Sequence, residues 1–468
     1  MSADLVATLA RLVGPAQVLA APAECAPYLT DWRGRYRGAA RCVVRPGTAA
    51  EVAAVVGACA AAGVPMVPQG GNTGLCGGAT PAPEGEAVLI ALGRLDRVRG
   101  VDAANRTLTA EAGCTLAAVH DAAAAVGCLF PLSLASQGSC QIGGNLATNA
   151  GGVQVLRYGT TRDLVLGIEA VLPDGRLWNG LRALRKDNTG YDLKQLFIGA
   201  EGTLGIITAA SLKLFPRPAV QATAWINVSH PEAALALLGG AQQAFDARLT
   251  AFELVSEAAL GLVMRHIPGT RRPTVVTPWY VLAEVSASDG AAPLAAGLEA
   301  WLARALAVGL VSDAAIAQSA AQAQALWHLR ESISEAQKIE GFSVKHDIAV
   351  PVSRIPEFLA RADALVEAAF PGLRVVAFGH VGDGNLHYNL SMAEAEGNAT
   401  FIARQEEVHR RVHDLVHELG GSISAEHGLG QLKREEIRRY KSEVELDLMA
   451  SVKAALDPRG LMNPGKVL

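Results

Sequence analysis

The chain carries no excess charge of either sign: 41 Lys and Arg stand against 45 Asp and Glu, a net of −4. A balance this even excludes an electrostatic nucleic-acid binder and a polybasic membrane reader. There is no CxxC pair and no cysteine beyond Cys140; the other six are Cys25, Cys42, Cys59, Cys76, Cys114 and Cys128. An odd, unpaired set reads as reduced thiols in an Ala-rich core, and so as a cytoplasmic protein. The opening MSADLVATLARLVG lacks the cationic-then-apolar pattern of a signal peptide and the Arg/Ser richness of a transit peptide. The longest apolar stretch, Val52 to Pro68, is broken by Gly57, Gly63 and Pro65. It falls short of the roughly 20 strongly apolar residues a membrane span needs, so none is expected. No internal repeat is visible.

Glycine is abundant, at 48 of 468 residues, against a usual share of about 7%. The glycines cluster without a period, which excludes collagen and points to loops that approach a ligand closely. At roughly 150 residues per domain, the length suggests two or three domains. Residues 42–68 read as strand, helix, strand, with Thr48 and Glu51 as a capping-box start and Gly63 as the stop. Strands follow at 87–92 and around TLTAEAG, then a helix near 115–126. VLGIEAVLPDGRLW reads as two strands about a Pro-Asp-Gly turn. A strand over 204–214 runs into Phe215-Pro216-Arg217-Pro218, a domain boundary.

From 219 to 421 the texture changes. Long Ala/Leu helices (232–246, 292–308, 355–369, 401–420) alternate with strand-like runs such as WINVS, WYVLAEVS and RVVAFGHV. This suggests an antiparallel sheet with helices on one face, an α+β arrangement. The tail, 422–468, reads as a short strand, a charged helix and a Pro-Gly finish. The expected domains are therefore 1–218, 219–421 and the segment 422–468.

Three glycine-rich walls carry the first chemical signal. PQGGNTGLCGG offers Pro68, Gln69, Gly70, Gly71, Asn72, Thr73, Gly74, Gly77 and Gly78. Such a loop crowds backbone N–H groups against an anion without Cβ interference. It is not GxGxxG, so a Rossmann dinucleotide fold is not supported. The segment 131–163 offers Pro131, Leu132, Ser133, Gly138, Ser139, Ile142, Gly143, Gly144, Asn145, Thr148, Asn149, Gly151, Gly152 and Tyr158. The third, within 187–208, holds Glu201, Gly202, Gly205 and Ile206. One such loop could be an ordinary turn; three in one domain suit a long cofactor with a pyrophosphate and a ribityl chain.

These stretches, with LRYG, GHVGDGNLHYN and SAEHGLG, resemble the FAD-dependent D-2-hydroxyglutarate dehydrogenases of the vanillyl-alcohol oxidase flavoprotein superfamily. The resemblance runs in order over nearly the whole chain. It implies a two-part FAD-binding domain, a substrate domain, and a C-terminal segment packing back on the FAD domain, with Asn463 as a flavin contact. Some superfamily members attach FAD to a His in the first glycine loop. Here 68–78 has no His, so the resemblance implies non-covalent FAD.

His380 and His387 flank a Gly-Asp-Gly turn, and Glu426 with His427 comes from a separate segment. Two imidazoles and a carboxylate suit Zn²⁺ or another borderline divalent ion; a hairpin with two structural histidines is the plain alternative. The resemblance makes His380, His387 and Glu426 metal ligands and His427 the general base. Arg330 and Ser334 are spaced i, i+4 on an expected helix, and Lys345 follows on a strand-like run. A guanidinium fork, a hydroxyl and an ammonium can cradle a carboxylate, although spacing alone favours a solvated helix face. The resemblance assigns Arg330, Ser334, Lys345 and Asn389 to substrate, with Ser334 where Thr is common. Gly460 to Lys466 mimics GxxxxGK, but Val467 replaces the Ser/Thr and no helix follows.

The resulting expectation is oxidation of an (R)-2-hydroxy acid, D-2-hydroxyglutarate first and D-malate, D-lactate or glycolate second. The metal would hold the hydroxyl, His427 would take its proton, and hydride would pass to flavin N5. An electron-transfer flavoprotein or a quinone would accept the electrons, and a homodimer is compatible with this reading. A flavin-free zinc hydrolase would leave the glycine walls unexplained. A non-catalytic flavin subunit would not need the His, Glu and Arg set.

Overall fold

The computed structural model describes residues 2–392, 401 and 403–468. The chain divides into two compact units. One comprises 1–152, 159–217 and 426–468; the other comprises 153–158 and 218–425.

The first unit starts from a helix whose limits are chemical. Ala49–Ala62 begins where the Thr48 hydroxyl accepts from the Glu51 amide at 3.1 Å, and it ends at Gly63, φ 67°. The Glu51 carboxylate bonds the Gly47 amide rather than that of Thr48, a cap displaced by one residue from the expected box. The helix buries Val52, Val55, Val56 and Cys59 in a core shared with strands Cys42–Val44, Met66–Gln69 and Val88–Ala91. Those three strands run parallel, and Val18–Leu19 adds an antiparallel edge. A second, antiparallel sheet orders Val98–Asp102, Thr107–Glu111, Ile206–Lys213, Val165–Val171 and Leu177–Gly180. All seven cysteines are buried and free. Burial pushes the Cys59 thiol up to about 12, so it packs as a small apolar side chain.

Residues 426–468 belong to this unit and are stitched into it by backbone. The Met66 amide donates to the Leu461 carbonyl at 2.8 Å, and the Asn463 amide to the Met66 carbonyl at 2.7 Å. The expected short strand of this tail is not formed. Only an isolated bridge, Ala349 to Ser422, marks its start, in the other unit. Two helices, Arg434–Tyr440 and Glu443–Leu456, take up much of the rest; the second carries a capping box between Ser442 and Glu445.

The second unit is built on an eight-stranded antiparallel sheet. Its order is Asp313–Ile316, Val220–Val228, Trp279–Ala287, Leu249–Ser256, Leu373–Gly379, Asn385–Met392 and Ser343–Val344; Asp347–Ala349 also pairs with Asn385–Met392. Strand alternation sends side chains to two faces. Ala224, Ile226, Leu254, Val281 and Tyr388 meet the helices Pro231–Phe245, Leu294–Ala307, Ile355–Ala369 and Gln405–Glu418. Trp225, Val255, Tyr280, Leu282 and Phe378 meet Glu257–His266, Ala320–Glu331 and Ile333–Glu340. Helices thus cover both faces. The single layer expected from sequence is half of the arrangement, because strands such as Trp279–Ala287 send Val281 and Ala283 to one core and Tyr280 and Leu282 to the other. No described helix is long and apolar enough to cross a membrane.

Candidate active site

In the first unit the glycine walls converge on one groove. The first loop lines it with Pro68 to Gly74 and Gly78. The second adds Gly143, Gly144, Asn145 and Thr148, and the third adds Glu201, Gly202, Gly205 and Ile206. His427 lies on the same wall. So do Cys76, Gln141 and Phe197, which sequence reasoning did not nominate although each lies inside one of the three glycine-rich stretches.

The polar side chains of these loops are spent on the protein. Gln69 Nε2 donates to the carbonyls of Tyr28 (2.9 Å) and Ala79 (3.0 Å), and Asn72 Nδ2 to that of Thr30 (2.9 Å). Thr148 Oγ1 donates to the Gly144 carbonyl at 3.1 Å. Asn149 Oδ1 accepts from the Arg162 amide at 2.9 Å. Beside these tied side chains, the bare backbone of Gly74 and Gly144 lines the groove.

The glycines sort into two kinds. A Cβ on Gly71 would sit 2.1 Å from the Ser139 carbonyl oxygen, and one on Gly143 2.7 Å from Ala112 Cβ, so these are glycine for packing. A Cβ on Gly74 or Gly144 would meet nothing within 4 Å, though both line the groove. That open space is what a bound cofactor would fill, and a flavin dinucleotide fits a wall of this kind.

The remaining nominated positions support the wall from behind or lie elsewhere. Gly77, Pro131, Leu132, Ser133, Gly138, Ser139, Ile142, Asn149, Gly151, Gly152 and Asn463 are not among its lining residues. Tyr158 lies in the segment 153–158, which clusters with the second unit; Arg157 there bonds the Ser286 hydroxyl at 2.6 Å. The front of the third motif, 187–193, lines a separate open polar cleft with Arg162 and Lys213.

The C-terminal segment reaches the groove through Glu201, a residue at φ 52°. Its carboxylate accepts from the amides of Leu429 (2.7 Å) and Gly430 (2.8 Å). Its carbonyl accepts from Asn463 Nδ2 at 2.7 Å, and Asn463 Nδ2 also donates to the Gly78 carbonyl at 3.0 Å. Burial raises the Glu201 pKa against the pull of those two amides. Glu426 Oε1 accepts from the Gly152 amide at 2.6 Å. Lys466, from the dismissed GxxxxGK run, is buried; burial and then Arg434 push it down to about 8, with Glu201 opposing.

In the second unit, side chains make the chemistry. Pairing of Leu373–Gly379 with Asn385–Met392 brings the rings of His380 and His387 to 6.2 Å between centroids, nearly perpendicular. His387 packs on Phe378 at 4.8 Å, and its Nδ1 is 3.9 Å from Asp347 Oδ1. His380 Nε2 is 3.7 Å from Glu253 Oε2. Glu253 Oε2 also takes Arg330 Nε and Nη2, both at 2.8 Å, and the Arg330 guanidinium lies over the Phe378 ring at 4.8 Å. Glu253 Oε1 is buried and, among the described residues, accepts no hydrogen bond. Imidazoles beside carboxylates suit a borderline divalent cation. Glu253 and Asp347 were not nominated from sequence: Glu253 sits in a strand with no motif around it, whereas Asp347 follows the nominated Lys345 by two residues.

The nominated carboxylate cradle is only partly assembled. The helix carrying Arg330 stops at Glu331, and a new one starts at Ile333. Arg330 is buried at 7% exposure, whereas Ser334 is exposed, so the shared face expected from i, i+4 spacing is lost at the break. Lys345 falls between two short strands, Ser343–Val344 and Asp347–Ala349. Asn389 is buried, donating to Gln337 Oε1 (3.0 Å) and accepting from the His346 amide (3.2 Å).

Residues 40–180 match the FAD binding domain, and residues 217–467 match the C-terminal domain of FAD linked oxidases. The chain is 40% identical over 468 residues to a D-2-hydroxyglutarate dehydrogenase of Xanthomonas citri pv. viticola, covering 100% of this chain and 97% of the relative. It is 38% identical to a mitochondrial D-2-hydroxyglutarate dehydrogenase of Bos taurus, covering 100% of this chain and 84% of that one. Among solved structures it is similar to p-cresol methylhydroxylase, with a TM-score of 0.80 at 16% identity over 99% of this chain and 96% of that one, a likeness of fold. On this sequence match and this groove, the chain belongs to the D-2-hydroxyglutarate dehydrogenases within the FAD-linked oxidases, and it is an FAD-dependent oxidoreductase of the vanillyl-alcohol oxidase fold.

Proposed function

We propose that the protein oxidises D-2-hydroxyglutarate to 2-oxoglutarate, with other (R)-2-hydroxy acids as poorer substrates. The observation that supports this is His427 on the wall of the glycine-lined groove, an imidazole beside the space that a flavin would fill. FAD, when bound non-covalently there, supplies the two-electron acceptor, and a divalent cation held by His380, His387 and Glu426 would polarise the α-hydroxyl.

The chain's own residues do the rest. His427 takes the hydroxyl proton, a contribution of about 10²–10⁴ in rate for a placed general base. Arg330 keeps Nε and Nη2 on Glu253, so Nη1 is the end of its fork turned to a substrate carboxylate. The buried Glu253 holds that guanidinium in one orientation and thereby selects a dicarboxylate over lactate. Lys345 contributes a second positive charge, and Asn389 holds its neighbourhood rigid through Gln337. An electron-transfer flavoprotein or a quinone reoxidises the flavin.

A substrate panel with an artificial dye acceptor tests this, run with and without chelator. Turnover should be fastest with D-2-hydroxyglutarate, fall for D-malate and D-lactate, and disappear on chelation with flavin retained. His427→Gln should lose at least about 100-fold in kcat and keep its flavin absorbance. Full activity of His427→Gln, or a preference for D-lactate, would refute the assignment.

A further inference from the structure

The second unit contains a further histidine cluster. His346, His409 and His413 each present a ring nitrogen, and these atoms lie within 4.8 Å of one another. His409 and His413 stand one turn apart on the helix Gln405–Glu418, which puts both imidazoles on one face. His346 lies between the strands Ser343–Val344 and Asp347–Ala349. The ring centroids are 4.8 Å apart for His346 and His409, 5.4 Å for His346 and His413, and 5.5 Å for His409 and His413.

The cluster is separate from His380 and His387. His387 packs on Phe378, a member of one core of the sheet. Tyr388, the next residue, belongs to the opposite core, and His346 and the helix Gln405–Glu418 lie with it. Successive strand residues point to opposite faces, so the sheet divides the two histidine sets.

One hydrogen bond bears on what the cluster does. His346 Nδ1 is 2.7 Å from the Tyr388 carbonyl oxygen, an acceptor only. The Nδ1 proton is therefore retained, and Nε2 carries the lone pair. A ligating histidine is commonly fixed in this way, with the second ring nitrogen donating to a carbonyl or carboxylate. Two histidines at i, i+4 on a helix are a known half of a metal site, and a third imidazole completes a three-ligand set.

We propose that His346, His409 and His413 form a second divalent-metal site, suited to Zn²⁺ or Co²⁺. Zinc–nitrogen bonds of about 2.0–2.1 Å place tetrahedral ligand atoms roughly 3.4 Å apart, so atoms now within 4.8 Å of one another must close by at most about 1.4 Å, within reach of small χ rotations. A fourth position is left for water. Half-buried His409 gives the ion its entry, since His346 and His413 are buried. The ion would fasten the helix Gln405–Glu418 to the strand segment that carries Lys345, so its role is to brace that segment.

The test uses the full chain with flavin bound, stripped by chelator, reloaded with Zn²⁺ and freed of excess. Zinc per chain is read by elemental analysis for the His387→Ala protein and for the same protein carrying His409→Gln and His413→Gln. The parent should hold one more zinc per chain, bound at least about 100-fold more tightly than by the triple variant. Co²⁺ added to the parent should give d–d bands of a four-coordinate imidazole complex that the triple variant lacks. His409→Gln alone, in the otherwise native enzyme, should lose one zinc while D-2-hydroxyglutarate turnover persists, which separates this site from the proposed catalytic one. Equal zinc in parent and triple variant, or an absent cobalt spectrum in the folded parent, would leave only three imidazoles packed as aromatic plates and would overturn the proposal.

Discussion

The two units present chemistry in opposite ways. The flavin-type unit offers backbone: its loop side chains are tied to Tyr28, Thr30, Ala79 and Arg162, and glycines at 74 and 144 open onto empty space. The sheet unit offers side chains: Arg330 bonds Glu253, which lies beside His380, and Asp347 lies beside His387. A backbone site is written locally, because each glycine that must stay bare is visible as a glycine. A side-chain site is written in pairs far apart, and the Arg330–Glu253 partners are 77 residues distant.

The largest expected break in this comparison comes from the histidines. His380→Ala or His387→Ala should lower kcat for D-2-hydroxyglutarate by about a thousand-fold, since ligand loss exceeds the 10–100-fold typical of outer partners. Flavin per chain, read from its absorbance, should not change. Flavin lost together with activity would mean that the two units do not divide the chemistry as described.

Next comes the buried pair. Glu253→Gln leaves Arg330 buried with a neutral partner, and breaking a buried pair costs about 3–5 kcal/mol. Denaturant unfolding should report that loss, and Arg330→Met together with Glu253→Gln should recover much of it. Additive losses in the double variant would show that the two side chains do not act as a pair.

A smaller effect sharpens the glycine division. Gly144→Leu should weaken FAD binding by about 100-fold, close to 2.7 kcal/mol, while the apoprotein keeps its melting temperature, because the new side chain enters open space. Gly143→Ala should do the reverse, lowering the melting temperature through its clash with Ala112. Similar behaviour of the two variants would erase the distinction.

The smallest is a pH effect. Lys466 titrates at about 8 in the folded chain and near its ordinary 10.5 when unfolded. Below pH 8 the folded state therefore bears the full cost of a buried ammonium. Between 8 and 10.5 the unfolded chain binds a proton that the folded chain has released, so this group's contribution to stability rises with pH. Lys466→Met should stabilise the protein by about 1–2 kcal/mol at pH 7, allowing for the lost attraction to Glu201, and the gain should shrink towards pH 10.5. Thermal melts of both proteins across that range check the sign.

Much of the architecture was legible in the sequence. The helix from Ala49 to Ala62 announces its cap and its stop, and the Pro-rich run at 215–218 coincides with the passage from one compact unit to the next. Layering was harder, because the run Trp279 to Leu282 that opens the strand Trp279–Ala287 is apolar at every position and periodicity there cannot tell one covered face from two. The break at Ser332 also escaped: Leu329 to Glu331 before it and Glu335 to Lys338 after it look helical, and only tertiary packing decides that Arg330 turns inward while Ser334 faces out. Glu253 and Asp347 lie in strands where a lone carboxylate resembles any polar strand residue, and the cluster of His346, His409 and His413 joins two segments that are far apart in the chain.

The grip of Glu201 on Leu429 and Gly430 also has a consequence in time. The unit that holds the glycine groove is discontinuous: its first parts end at 217 and its last begins at 426. At about 5–20 residues per second, synthesis of the intervening stretch takes roughly 10–40 s. The sheet unit, whose segments 153–158 and 218–425 are complete once residue 425 is made, can fold before the last part of the groove unit is synthesised. The flavin groove must wait, its first loop lacking the partners that Gly428 to Asn463 will bring, so cofactor capture comes late in the life of the nascent chain.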